Sequence, residues 1–139
     1  MRVLDRLQPL GLLVLRLALG ATMLGHGYLK VFHGLSQHAH MVAGLGLPAW
    51  LGYVSAFTEF LGGIASLVGV FTRVAAFLIC IDMAVAIWKV HWHNGLLGSG
   101  GFEFPLALAA IAFTLIFFGA GPISLDHVLR GGGSSPRGK

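Results

Sequence analysis

Six charged side chains lie within long apolar runs or at their rims: Arg16, Lys30, Glu59, Asp82, Lys89 and Glu103. Charge is costly in hydrocarbon, so each such residue is by default a candidate for function. Two histidines accompany them, His26 one turn before Lys30 and His91 two residues after Lys89. Imidazole titrates near neutrality and can trade protons with carboxylates. The set His26, Lys30, Glu59, Lys89, His91 and Glu103 therefore suits a protonatable or redox-active ligand such as a quinone headgroup, with Glu59, His26 and His91 exchanging protons. Arg16 and Asp82 are opposite charges at similar depth and are expected to form a buried ion pair. Ligation of haem by His26 with His91 or His93 is conceivable in a helical bundle, but nothing in the spacing requires it. A metal held by His38, His40, His91 and His93 would use loop residues with no diagnostic spacing, and no metal is expected. No nucleophile–base pair and no phosphate-binding loop occurs in the sequence, which argues against a stand-alone hydrolase or transferase.

These residues must be positioned by four apolar stretches, roughly 10–32, 49–71, 74–93 and 102–120. Each is near the ~20 residues a helix needs to cross the hydrocarbon core. Only helices leave no backbone group unpaired there, and the runs do not alternate as barrel strands would. The expected fold is all-α, an integral-membrane bundle of four transmembrane helices. In the first helix Arg16, Gly20, Met23, Gly27 and Lys30 share a face. Glu59, Gly62, Gly63 and Ser66 do so in the second, Asp82, Ala86, Lys89 and His93 in the third, and Glu103, Ala107, Ala110 and Thr114 in the fourth. Small residues let membrane helices approach closely, so all four stripes are expected to face a common axis. Their charges sum to zero, as burial demands. At about 1.5 Å per residue, Arg16 and Asp82 lie toward one side and Glu59 near the midplane, with Lys30, Lys89, His91 and Glu103 at the other boundary. Lys30 and Lys89 could there reach the headgroups.

Composition agrees. Of 139 residues, 56% are hydrophobic and only 10% charged, well below the ~25% of a soluble domain; mean hydropathy is +0.84. The net charge of +4 is dispersed, so nucleic acid is not an expected partner. The lone Cys80 reads as apolar filler. Arg2 and Arg6 precede an apolar run, but Arg16 interrupts it and no convincing cleavage site follows, so a cleaved leader is not expected. Arg2, Arg6, Arg73, Arg130, Arg137 and Lys139 fall on one side of the four runs. By the positive-inside rule both termini are cytoplasmic, in a multi-pass protein of the cell (inner) membrane. Trp50, Trp88 and Trp92 fall near the outer interface.

The breaks carry turn chemistry: 34–48 with Gly44, Gly46 and Pro48, the tight Phe71-Thr72-Arg73, the Gly-rich 94–101, and Gly119-Ala120-Gly121-Pro122. Ser124 can cap a short surface helix near 125–129. One domain, 1–127, is expected, followed by a flexible Gly/Ser-rich cytoplasmic tail, 128–139.

Certain segments have a familiar order and spacing: Leu15-Arg16 with Gly20, His26-Gly27-Tyr28-Leu29-Lys30-Val31-Phe32, Gly46-Leu47-Pro48, and Glu59 with Gly62-Gly63. The series continues with Gly69-Val70-Phe71-Thr72-Arg73, Met83 to Ala86, Val90-His91, Gly100-Gly101-Phe102-Glu103 and Gly119 to Asp126. Over about 7–127 the chain resembles the DoxX family of small four-helix membrane proteins. The resemblance implies a four-helix membrane bundle with both termini inside. It also implies association with redox systems, since the family takes its name from a subunit of a terminal quinol oxidase and includes a thiosulfate:quinone oxidoreductase subunit. It supplies no agreed catalytic residues. The expected function is a membrane subunit of a redox system, quinone-linked or anchoring a soluble oxidoreductase, and not catalytic alone. The alternative is a non-enzymatic scaffold or small-solute carrier. A bundle this small could share a site between copies, as a homo-oligomer.

Overall fold

The computed structural model describes residues 2–131, apart from the Arg2 side chain, and is helical with no strand among them. The tail beyond Gly131 lies outside the described residues. A single turn, α1 (Arg2–Asp5), leads into α2 (Gln8–His33), where Pro9 sits in the first turn and its missing N–H costs nothing. The segment 34–48, expected as loop, instead holds α3 (Leu35–Gly44). Leu35, Ala39 and Val42 fall at i, i+4 and i+7, a short apolar stripe whose Ala39 and Val42 are buried.

The second apolar helix, α4 (Trp50–Val68), ends at Gly69 in the left-handed region (φ +76°), which a Cβ would disfavour. Then α5 (Thr72–Ala86) continues through a π-helical stretch, Ile87–His91, and a 3₁₀ turn, Trp92–Asn94. After the Gly-rich loop come α6 (Glu103–Phe118) and a short α7 (Leu125–Leu129). Ser124 caps α7, its Oγ accepting from the His127 amide at 3.2 Å.

Three helices are long and apolar enough to cross a membrane: Gln8–His33, Trp50–Val68 and the continuous Thr72–Asn94. The 16-residue α6 is equally apolar but shorter. Within the bundle, only 28%, 33% and 22% of the three spans are covered by the rest of the chain. Phe57, Leu61, Phe77, Phe113 and Phe117 are among the large side chains left exposed, a surface that fits lipid rather than water.

The expected stripes hold in two helices. Arg16, Gly20, Met23 and Gly27 of α2 and Glu59, Gly62, Gly63 and Ser66 of α4 are all buried. A Cβ on Gly27 would meet the Phe60 backbone, and one on Gly63 the Leu24 backbone, so glycine permits this contact. A second core joins Leu19 and Met23 to Ala76, Ile79 and Met83 of α5 and Leu108, Ala112 and Leu115 of α6. The stripe expected in α6 is therefore corrected. Its buried face is Pro105, Leu108, Ala112 and Leu115, while Glu103, Ala107 and Ala110 are exposed. With apolar residues on every side of α6, the small residues did not mark the contact.

Candidate functional site

A cavity of about 310 Å³ opens between α2, α3, α4 and the α5–π segment. Lys30 comes from α2, His38 from α3, Ser55 and Glu59 from α4, Asp82 from α5, and Lys89 and His91 from the π-helical stretch. Leucine, valine, isoleucine and methionine side chains make most of the remaining wall. Four of the six proposed ligand-handling residues thus meet: Lys30, Glu59, Lys89 and His91.

The Lys30 ammonium donates to Glu59 Oε1 at 2.6 Å. Lys30 does not take the alternative course outward to the headgroups. Side chains on a helix lean toward its N-terminus, which for α2 points into the bundle, so the ammonium meets Glu59 instead. Glu59 is 3% exposed. Its Oε2 has no hydrogen-bond partner, and neither has the buried Nε2 of His38. An unmet buried polar atom costs about 1–3 kcal/mol, and for Glu59 the neighbouring Asp82 carboxyl is a partner when one of the two carries a proton. Asp82 stands beside Glu59 and Ser55, within electrostatic reach of Lys30. Lys89 Nζ lies 4.2 Å from the Trp88 ring centroid, a cation–π contact. His91 Nδ1 donates to the Gly100 carbonyl at 2.8 Å, since a carbonyl can only accept. Two basic residues, Lys30 and Lys89, and two acidic ones, Glu59 and Asp82, thus share a mostly apolar lining. Burial, reinforced by Lys30, holds the His38 pKa below the usual histidine value despite the opposing pull of Asp82.

Two proposed residues fall outside. His26 is exposed, its ring 6.1 Å from that of Phe104, and Glu103 is exposed in the first turn of α6. Among the described residues no three His, Cys, Asp or Glu side chains gather as a metal site would, and the His38, His40, His91 and His93 set is not assembled. His38 was undervalued because 34–48 read as loop; the 3.6-residue recurrence of Leu35, Ala39 and Val42 was the available signal. Ser55 stands one turn before Glu59 on the same face, a spacing that could have flagged it.

The Arg16–Asp82 ion pair does not form. Arg16 is 2% exposed and donates only to main-chain carbonyls: Nε to Ser66 at 2.7 Å, Nη1 to Ala120 at 2.8 Å and Ile123 at 2.7 Å, and Nη2 to Leu67 at 3.2 Å. The last four carbonyls of a helix lack intrahelical partners and carry its negative dipole end. Arg16 supplies donors to the end of α4 and to the chain just past α6, with no carboxylate in direct contact.

The DoxX family model matches residues 11–92. A Bacillus subtilis protein named "Putative oxidoreductase CatD" is 30% identical over 106 residues, covering 76% of this chain and 78% of that protein. An "Uncharacterized protein" of Haemophilus influenzae is 30% identical over 135 residues, covering 91% of this chain and 96% of the relative. No solved structure matches.

Proposed function

The chain belongs to the DoxX family, and from that premise we propose that it is a membrane subunit of a redox system whose cavity takes a quinone headgroup. A soluble or membrane oxidoreductase would exchange the electrons. The observation that carries this reading is a mostly apolar cavity whose lining brings together the Lys30–Glu59 ion pair, Asp82 and His38. A quinone couples electron transfer to proton uptake or release. Glu59 Oε2 can accept from a hydroxyl, and His38 Nε2 can donate or accept according to its tautomer. Asp82 beside Glu59 offers a second carboxylate through which a proton can pass. The apolar wall suits the ring, and a volume near 310 Å³ is at the small end of ligand pockets. The relative named as an oxidoreductase supports the same class of function.

The bundle is read as crossing the inner membrane four times with both termini cytoplasmic. Contacts of Arg16 with Ser66, Ala120 and Ile123 support the alternating helix directions in this reading, because they bring the start of α2 to the same end as the close of α4 and α6. As the fourth crossing, α6 would rise about 24 Å, and a bilayer absorbs that shortfall by local thinning.

The test is quinone-linked electron transfer in native membranes carrying equal amounts of wild type, Glu59→Gln and His26→Ala. Turnover should fall about 100-fold in Glu59→Gln and stay unchanged in His26→Ala. Full turnover in Glu59→Gln would favour the scaffold or carrier alternative.

A further inference from the structure

Two of the segments on which the family resemblance rests, Gly69 to Arg73 and Gly119 to Asp126, take no part in the cavity above. They meet at the opposite end of the bundle. Phe71 joins α4 to α5 with φ +47°, the one non-glycine residue in the left-handed region among the described residues. For a bulky side chain this conformation is strained and must be held by its surroundings. Asp126 holds it: Oδ1 accepts from the Phe71 amide at 2.8 Å and Oδ2 from the Thr72 amide at 3.0 Å, while the Asp126 amide donates to the Gly69 carbonyl at 2.7 Å. The effect is to fix the Phe71 ring outward, 73% exposed.

Beside it opens a second cavity, of about 410 Å³, whose polar lining includes Arg73, Asp126, His127 and Arg130. Arg73 lies over Gly119, where a Cβ would come within 3.1 Å of its Nε. The Asp126 carboxylate is held between two amides and lies within electrostatic reach of Arg16 without pairing to it. Neither Arg73 nor Arg130 forms an ion pair among the described residues. The recess therefore carries two arginines against one carboxylate, Asp126, whose oxygens are already taken by the Phe71 and Thr72 amides, and it keeps a net positive charge. Its border is apolar and exposed: Phe71, Val74, Phe118 and Leu129. A cationic recess with an apolar border, at the ends of membrane helices, has the form of an amphiphile's site.

We propose that this corner binds the phosphate of an anionic phospholipid through Arg73 and Arg130, with the acyl chains lying along Phe71 and Phe118. A free phosphate would make no use of the apolar border. An acidic face of a soluble protein would not need a phenylalanine fixed outward where hydrocarbon begins. Basic recesses between membrane helices on the cytoplasmic side are suited to such headgroups.

The experiment compares the full-length protein in phosphatidylglycerol and phosphatidylcholine nanodiscs, with retained lipid read by native mass spectrometry. The wild type should prefer phosphatidylglycerol. Arg73→Gln with Arg130→Gln should lose about fivefold of that preference per arginine, roughly 25-fold together. Arg73→Lys with Arg130→Lys keeps the charges and should keep most of the preference, which separates lost binding from lost folding. A wild type without preference, or a glutamine variant that retains it, would overturn the proposal. Displacement of the lipid by inorganic phosphate in detergent would assign the recess to free phosphate and overturn it equally.

Discussion

Arg16 shows how far residue chemistry alone leads. Its burial was legible, because a guanidinium flanked by Leu15 and Leu17, with Gly20 one turn on, has to face protein. Its partners were not. Opposite sign and similar depth pointed to Asp82, but the sequence does not display the free carbonyls at helix ends. The five donors of guanidinium suit several separate carbonyls, while lysine offers a single compact point. Arg16→Leu should therefore destabilise the protein by about 3–5 kcal/mol, and Arg16→Lys should recover only a small part. Adding Asp82→Leu should not rescue Arg16→Leu. Thermal melts in detergent, followed by helical circular dichroism, check this; full rescue by the double change would restore the ion-pair reading. Lys30 and Glu59 were both legible as functional candidates but not as a pair, since by backbone depth alone they lie well apart. The downward lean of a long lysine side chain closes that gap.

At the scale of elements, periodicity was informative where it was contrasted. Glycines amid large residues marked the α2–α4 contact, and the structure shows why: Gly27 and Gly63 leave no room for a Cβ. Periodicity was mute in α6, apolar on every side. It was also obscured in α3, where polar residues surround a stripe of three. The join of α4 and α5 rests on Asp126. Burial would raise its pKa, but the Thr72 and Phe71 amides and the nearby Arg130 outweigh burial and hold it below the usual carboxylate range. A pKa lower in the folded than in the unfolded state gives stabilisation that is complete above the unfolded value of about 4 and is lost as pH falls through the folded one. Asp126→Asn should cost about 1 kcal/mol near neutrality, in line with loss of a helix cap. Its melting temperature should also decline less steeply in acid than that of the wild type. Parallel declines would mean that Asp126 does not contribute in this way.

For the whole molecule, four apolar runs with small-residue stripes were enough to read a helical membrane protein, and the exposed faces of the spans agree. The site was legible as a set of residues but not as a place. His26 and Glu103 stand apart from it, whereas His38 enters through a helix that read as a loop, and the π-helical stretch carries Lys89 and His91 to the wall. Whether the cavity receives a quinone is best tested by titrating the purified protein in detergent with a short-chain quinone while following tryptophan fluorescence, since Trp88 adjoins Lys89 at the wall. The quenching should saturate, and Glu59→Gln should weaken binding by at least about tenfold, as loss of a hydrogen bond to a charged group implies. Quenching that rises without saturation, or an affinity unchanged in Glu59→Gln, would contradict a quinone site built on Glu59.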